Sequence, residues 1–438
     1  MKRNRRYIRR YMRYMKLFII VTTVLVTFSG CFDAREIDDL VHITVIGIDK
    51  GATNNWRITV QFPSQKANAG SSGGGSSSGG GGGESGGEHS VDGYSIVSLD
   101  APSLSEGLDM LNASIQRQVD LSQAHVIAIS EEIAMEGISN YVYQLISHPD
   151  LRRSSFFLVT KGSAYDFVMA NKPFIGSSVI KNYRIWVQQS KDIGYFPYTT
   201  LGGFYVSMKS PTSQSIAVVA ATNDFSAYKK PSEGDMSGVS KPGGAHKAGE
   251  IPRISDNEIE LWGTALFESD KMISELDGDE TRFLLMLRDE LKSANLSVPS
   301  PEGVDGIISL RLEKKASNKI RVDTSEDAPH IHVTIVLKGS LLNEHSELDI
   351  MDKSDREYVE NTCRDYIRER IEEIIDRCRS LGVDPFKFGD KATKNFLTVD
   401  ELLAYDWNNK FTDAVVKVNV ELSLKHARKL VESHSVKY

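Results

Sequence analysis

Val41-His42-Ile43-Thr44-Val45-Ile46-Gly47-Ile48 is the stretch on which the fold turns. It is β-branched and nearly all apolar, which reads as a buried strand. Asp49-Lys50-Gly51 then supplies turn chemistry. Trp56-Arg57-Ile58-Thr59-Val60-Gln61-Phe62 alternates strictly, with Trp56, Ile58, Val60 and Phe62 on one face. The pair predicts an antiparallel hairpin of one buried and one half-buried strand.

Beyond the hairpin, residues 69–88 ("AGSSGGGSSSGGGGGESGGE") offer nothing apolar with which to build a core. A Gly/Ser chain of this length has a root-mean-square span of roughly 25 Å, so an interdomain linker is one reading. The preceding segment is too short for a domain, and Tyr94-Ser95-Ile96-Val97-Ser98-Leu99 reads as a third strand of the same sheet. The stretch is therefore expected to be a disordered surface loop inside the first domain. Leu104, Leu108, Leu111 and Ile115 lie at helix spacing, and His125–Ile129 reads as a strand. Ile133, Ile138, Tyr141, Val142, Leu145 and Ile146 fit one helix with Ser130 as its N-cap. Phe156–Lys161 is another strand, and Ala164–Met169 begins a short helix. Strand and helix alternating after a hairpin predict a mixed α/β domain over residues 31–200.

A middle domain is expected over residues 201–300. It holds a strand at Ile216–Ala221 and a polar, Gly/Pro/Ser-rich loop over 229–250. Glu258–Phe267 follows as two short strands or one bent at Gly263, then a helix over Thr281–Ser293. Residues 301–438 form a C-terminal α/β domain. Ile307–Lys314 and His330–Lys338 alternate. Val359, Cys363, Tyr366, Ile367, Ile371, Ile374 and Cys378 stripe one helix over about 350–381, ended by Leu381-Gly382. Val415–Leu422 closes the chain as a strand. The fold class is α/β (α+β) and multidomain, with mixed and antiparallel sheets flanked by helices in three unequal domains.

The amino end reads as a lipoprotein signal peptide over residues 1–30. Eight Lys and Arg stand among the first sixteen residues, with no acid. Leu17–Phe28 follows as an apolar run of twelve residues. That is roughly 18 Å of helix, short of the ~30 Å hydrocarbon core, and of signal-peptide length. Ser29-Gly30-Cys31 then places small residues before a cysteine. This is the bacterial lipoprotein pattern, and Cys31 is the thiol expected to carry a diacylglycerol thioether. An uncleaved, slightly short anchor helix is the other reading. Either one tethers the chain to the outer face of a membrane.

The charge balance excludes one class. The net charge is −7, and about −15 without the eight amino-terminal positives. Nucleic acid is not expected as a partner, because its binding rests on cation–phosphate contacts. Catalytic chemistry is sparse. His330 and His332 share one strand face, but two ligands are too few for a metal site. The glycine run lacks the Gly-Lys-Ser/Thr ending of a phosphate loop. Asp349, Asp352 and Asp355 precede a helix, where acids complement the dipole. Cys363 and Cys378 lie fifteen residues apart on one helix, roughly 22 Å along its axis, so they are expected as buried unpaired thiols. No catalytic residue, cofactor site or metal site is assigned, and the chain reads as no enzyme.

An ordered set of motifs remains. Arg35–Leu40 ("REIDDL") follows Cys31, then Val45–Gly51 ("VIGIDKG"), Ala124-His125-Val126, Glu131–Gly137 ("EEIAMEG") and His148–Arg153 ("HPDLRR"). Leu261–Phe267 ("LWGTALF"), Asp384–Gly389 ("DPFKFG"), Trp407 and Val416–Glu421 ("VKVNVE") complete it. In this order they resemble the C subunit of spore nutrient-germinant receptors, the Ger(x)C lipoproteins, over nearly all of the mature chain. The resemblance implies a three-domain α/β lipoprotein on the outer face of the spore inner membrane. It implies two membrane-embedded partners, the A and B subunits, and a part in nutrient sensing and the start of germination. No catalytic residue carries over; lipidation carries over onto Cys31. Phe28 departs from the usual Leu, Val or Ile of the lipoprotein motif, and the polar insertion at 229–250 departs from the family pattern. The alternative is a lipid-anchored solute-binding protein or cell-wall hydrolase. A solute binder needs two similar lobes about a cleft, against three unequal units here.

Overall fold

The computed structural model describes residues 11–23, 39–63, 89–91, 93–115, 117–172, 179–229, 243–299, 307–342 and 352–425. Cys31, Phe28, Asp349 and the glycine-rich stretch 69–88 lie outside the described residues, as do positions 230–242 of the polar insertion. Residues 11–23 form helix α1, with every side chain exposed. No helix among the described residues is long and apolar enough to cross a membrane.

The expected hairpin is present, with one difference. Val41–Ile48 is not a single strand. It divides into β1 (Leu40–His42) and β2 (Val45–Asp49). β2 pairs antiparallel with β3 (Trp56–Pro63). β1 turns away to pair with the distant β6 (Gln118–Asp120), where His42 Nδ1 meets Asp120 Oδ2 at 2.6 Å. β3 also pairs with β5 (Tyr94–Ala101), and β4 (His89–Val91) lies outside β5. The glycine-rich stretch thus joins strands of one sheet.

α2 (Leu104–Ser114) leads across to β7 (Val126–Ser130). The helix expected from Ile133 to Ile146 is two helices, α3 (Glu131–Glu136) and α4 (Ser139–Ser147). Gly137 breaks them at φ +138°, and Ile138 N–H donates to Asp270 O at 2.9 Å. Ser130 holds the N-cap position, but its hydroxyl makes no cap bond. β8 (Phe156–Thr160), α5 (Ala164–Ala170), α6 (Val179–Asp192), α7 (Leu201–Met208) and β9 (Ile216–Thr222) follow. β10 (Ile259–Glu268) is one strand, shifted in register between Leu261 and Thr264 around Gly263 at φ +78°. β11 (Lys271–Leu276) closes the edge.

These strands make one nine-stranded sheet in the order β11-β10-β9-β8-β7-β2-β3-β5-β4. β2, β7, β8 and β9 run parallel at its centre. Every residue of β2, β7 and β8 is buried, because a parallel sheet carries helices on both faces. Separate apolar cores accordingly fill the two faces, one around Ile46, Ile127 and Phe157, the other around Val45, Val126 and Leu158.

α8 (Gly278–Leu287) starts at an Asp277–Glu280 capping box and stops well before Ser293. Ser293 instead opens β12 (Ser293–Pro299), in a sheet with β13 (Ile307–Lys314), β14 (Lys319–Asp323), β15 (His330–Leu341) and β16 (Val415–Lys425). Among the described residues, segment 201–300 therefore has no sheet of its own: β9 to β11 extend the first sheet, and β12 begins the second. β16 runs parallel to β15 after a crossover through α9 (Lys353–Ser380). The α9 stripe packs as its spacing predicts, with Val359, Cys363, Ile367, Ile371, Ile374, Ile375 and Cys378 buried. Its end is a Schellman turn: Gly382 at φ +72° donates to Arg379 O, and Val383 donates to Cys378 O, both at 3.0 Å.

Candidate functional site

Two of the motifs, Asp384–Gly389 and Trp407, meet in a polar knot between the two sheets. The chain beyond α9 enters α10 (Phe388–Ala392), then α11 (Val399–Tyr405) and α12 (Trp407–Phe411). Asp384 stands before α10 and is fully buried. Its Oδ1 accepts from Phe386 N–H at 3.0 Å. Its Oδ2 accepts from Gly389 N–H at 2.8 Å and from Trp407 Nε1–H at 3.0 Å. Burial pushes this carboxyl up to about 6, against the pull of those donors.

The knot reaches into the other sheet through the segment between α7 and β9. Gln214 N–H donates to Asp384 O at 3.2 Å, and Asp384 N–H donates to Gln214 Oε1 at 2.5 Å. Thr212 Oγ1 donates to Asp390 Oδ1 at 2.8 Å. Gly389 has no alternative residue at this spot, since a Cβ would collide with Thr212 O and the Trp407 indole. Lys387 takes φ +63°, and its sequence neighbours Phe386 and Phe388 stack their rings on each other at 5.2 Å. On the other flank Arg377 of α9 pairs with Glu280 of α8 and donates to Glu275 O at 2.9 Å. One apolar core spans this seam, running from Ile216, Leu266 and Leu276 to Ile371 and Trp407.

The carboxyl ends of the parallel strands are where α/β sheets commonly take ligands. At the end of β2 that place is filled by the chain itself. Asp49, at the end of β2, accepts from Ala164 and Tyr165 N–H at 2.7 and 2.8 Å, so its carboxylate occupies the amino end of α5. Lys50 beside it pairs with Glu132 at 3.3 Å and also with Glu136.

The remaining sequence candidates fall as follows. His330 Nε2 lies 3.2 Å from Glu326, and His332 is exposed on the same side of β15. Among the described residues, no three His, Cys, Asp or Glu gather where a metal could bind. Asp352 caps α9, accepting from Ser354 N–H at 2.7 Å. Cys363 and Cys378 are free and buried, and burial pushes the Cys363 thiol up to about 12 and Cys378 up as well. Cys31 lies outside the described residues. Sequence reasoning passed over Thr212–Ser215, four consecutive buried polar residues ahead of the apolar run Ile216–Ala221. That run of Thr-Ser-Gln-Ser was the available signal.

Fold and knot together define a multidomain mixed α/β protein in which Asp384 and Asp390 tie the C-terminal unit to the segment ahead of β9. Residues 33–221 match the family model described as spore germination protein N-terminal domain, and residues 262–427 the one described as spore germination B3/GerAC like, C-terminal. YfkR of Bacillus subtilis (strain 168) is 21% identical over 404 residues, covering 91% of this chain and 93% of that protein. Spore germination protein KC of the same organism is 20% identical, covering 90% of this chain and 91% of that one. The crystal structure of the GerBC protein shares the fold, with a TM-score of 0.50 and 13% identity over 86% of this chain and 96% of that chain. The chain belongs to the GerAC-like, Ger(x)C family of spore germination proteins.

Proposed function

We infer that the chain is a non-enzymatic, lipid-anchored subunit of a spore germinant receptor, acting with integral membrane A and B subunits in nutrient sensing. The observation that carries this reading is the place where the family match begins. It starts at residue 33, directly behind the Cys31 expected to bear the lipid. Leu40, where β1 begins, is nine positions beyond Cys31, at most about 30 Å of extended chain. A lipid at Cys31 therefore holds the folded body against the outer face of the spore inner membrane, within reach of membrane-embedded partners. In this reading Asp49 at the end of β2 and the knot are structural supports.

The test compares spores that are intact, lack this chain, or carry Cys31→Ala. The observable is release of dipicolinic acid over a broad nutrient panel. Loss of the response to at least one nutrient on deletion, weakened by Cys31→Ala, supports the reading. Full responses from deletion spores across the panel, with solute binding or peptidoglycan cleavage by the protein, would replace it with the solute-binder or hydrolase reading.

A further inference from the structure

Helix α11 is unlike the other helices that build the C-terminal unit. It buries none of its own residues, yet three large aliphatic side chains ride on it or just before it. Leu397 is 94% exposed, Val399 69% and Leu403 53%. Val399 and Leu403 are one helical turn apart and share a face. The helix is not a frayed end. A capping box between Thr398 and Glu401 closes its start, and Glu401 also accepts from Leu397 N–H at 2.9 Å. Both flanks are anchored. Phe396 and Tyr405 contact each other at 5.1 Å and pack on the C-terminal core. Trp407, two residues beyond Tyr405, is locked into Asp384. The fold thus holds a short apolar ridge rigidly away from its own core, at a standing cost in exposed aliphatic surface.

The rim of the ridge is acidic. Asp400, Glu401 and Asp406 lie along it, and no base stands between Phe396 and Asp406. The turn between β14 and β15 borders it, because Asn395 Nδ2 donates to Val322 O at 2.8 Å and to Thr324 Oγ1 at 3.3 Å. Asp323 at the end of β14 and Glu326 and Asp327 in the turn add to it, Glu326 lying 3.2 Å from His330 Nε2. Lys410 offsets part of this charge by pairing with Asp327 at 2.5 Å. Lys391 and Lys394 lie on the amino-terminal side.

We propose that the α11 ridge, Leu397, Val399 and Leu403 with its acidic rim, docks into an apolar groove of a partner protein lined at its edge by lysine and arginine. This deepens the receptor reading and rests on it, with the groove belonging to the A or B subunit. An anionic lipid surface is the wrong occupant, because the acidic rim is repelled by it. A second copy is also wrong. A two-fold contact through this ridge sets acidic rim against acidic rim.

The experiment uses the full chain co-produced with the A and B subunits and extracted from membranes. A photoreactive residue at Leu403 is expected to crosslink to A or B. Val399→Asp/Leu403→Asp is expected to lower the co-purified subunits about tenfold, with the chain's melting temperature unchanged because neither side chain is buried. Asp323→Lys/Asp400→Lys is expected to weaken capture and to flatten its dependence on salt. Crosslinks to lipid or to a second copy, or full capture by the aspartate variant, overturn the docking assignment and leave the receptor reading standing. If the unsubstituted chain captures neither subunit, the receptor reading falls and the docking assignment falls with it.

Discussion

The nine-stranded and five-stranded sheets solve the same problem in different ways. At the centre of the larger sheet, parallel strands are buried on both faces, and no residue of β2, β7 or β8 reaches solvent appreciably. In the smaller sheet, β15 alternates along its length. Ile331, Val333, Ile335 and Leu337 point into the core under α9, while His330, His332 and Thr334 face outward. One sheet is a closed interior, the other a floor with a single covered side. The difference shows where the molecule can present chemistry to a partner. The large sheet has little to offer, having even filled the amino end of α5 with its own Asp49. The smaller unit keeps an open face and carries the apolar ridge of α11 on its rim. The knot at Asp384 ties the two together.

The first way to break the comparison is to cut that tie. Asp384→Ala leaves three buried N–H donors without an acceptor. The expected loss is about 4 kcal/mol, read by urea unfolding of the full chain in detergent. The unsubstituted chain is expected to unfold in one transition, because one core runs across the seam. The variant is expected to show two, with the C-terminal unit opening first. A single transition in the variant would mean that the apolar core alone couples the sheets.

A glycine pair sharpens the contrast. At Gly389 an added Cβ meets backbone at Thr212 and the buried indole of Trp407, neither of which can move freely. Gly389→Ala is expected to cost about 3 kcal/mol. At Gly47 in β2 the nearest atoms are a Val168 methyl at 3.0 Å and Ala164 O at 3.2 Å. Gly47→Ala is expected to cost about 1 kcal/mol, since α5 needs to shift by only a few tenths of an ångström. Equal losses would mean that the seam is no tighter than the helix layer of the large sheet.

How much of this was legible depends on how far apart the partners lie. The α9 stripe was readable because its period is local, and the capped end at Gly382 carries its own signature. The β2–β3 hairpin was readable for the same reason. The division of Val41–Ile48 was not. It needs Asp120, 78 residues beyond His42, to draw the first part into another pairing. β14 went unseen because its pattern is weak, Val322 being its one buried residue, whereas β12 alternates with Ala294, Leu296 and Val298 buried, a signal that was there to read. Sheet membership of segment 201–300 is also non-local, since β9 finds its place only beside β8. The knot is the extreme case. Asp384 and Trp407 stood out as motif residues, but Gln214 lies 170 residues from Asp384, and no spacing rule links them. Cys31 lies outside the described residues, and its reading as the lipid site rests on its small neighbours and the apolar run before it.

A third test addresses the joint through pH. Asp277 caps α8, and burial, with Glu280 and Asp279 nearby, pushes its carboxyl up to about 6. A raised carboxyl means the folded state binds the proton more tightly than the unfolded chain. Its contribution is therefore complete below the model-peptide value near 3.8 and lost as pH rises through about 6. Asparagine caps a helix as well as aspartate does and cannot titrate. Asp277→Asn is expected to match the unsubstituted chain below pH ~4 and to be more stable above pH ~6, by about 2 kcal/mol once the shift is discounted for solvent screening of this partly exposed carboxyl. Thermal melts at both ends of that window check it. A variant less stable at pH 7 would mean that the charged cap is stabilised by the helix dipole more than it is penalised by burial.

The smallest expected effect falls on the open side of the molecule and is informative because it is small. Val399→Ser and Leu403→Ser remove aliphatic groups from α11, which buries none of its residues. Each is expected to change stability by less than about 0.5 kcal/mol, because the removed atoms already face water in the folded chain. Serine lowers helix propensity slightly relative to Leu403 and leaves it about unchanged relative to Val399, and the Thr398–Glu401 capping box holds the first turn in place. A loss of 2 kcal/mol or more in either variant would place these side chains inside a contact within the chain itself. The ridge would then be an internal packing element, and the smaller unit would be closed on that side much as the large sheet is. A neutral result in the melt joined to weakened capture of the A or B subunit separates the two roles: aliphatic surface that contributes nothing to the fold is kept for what it binds.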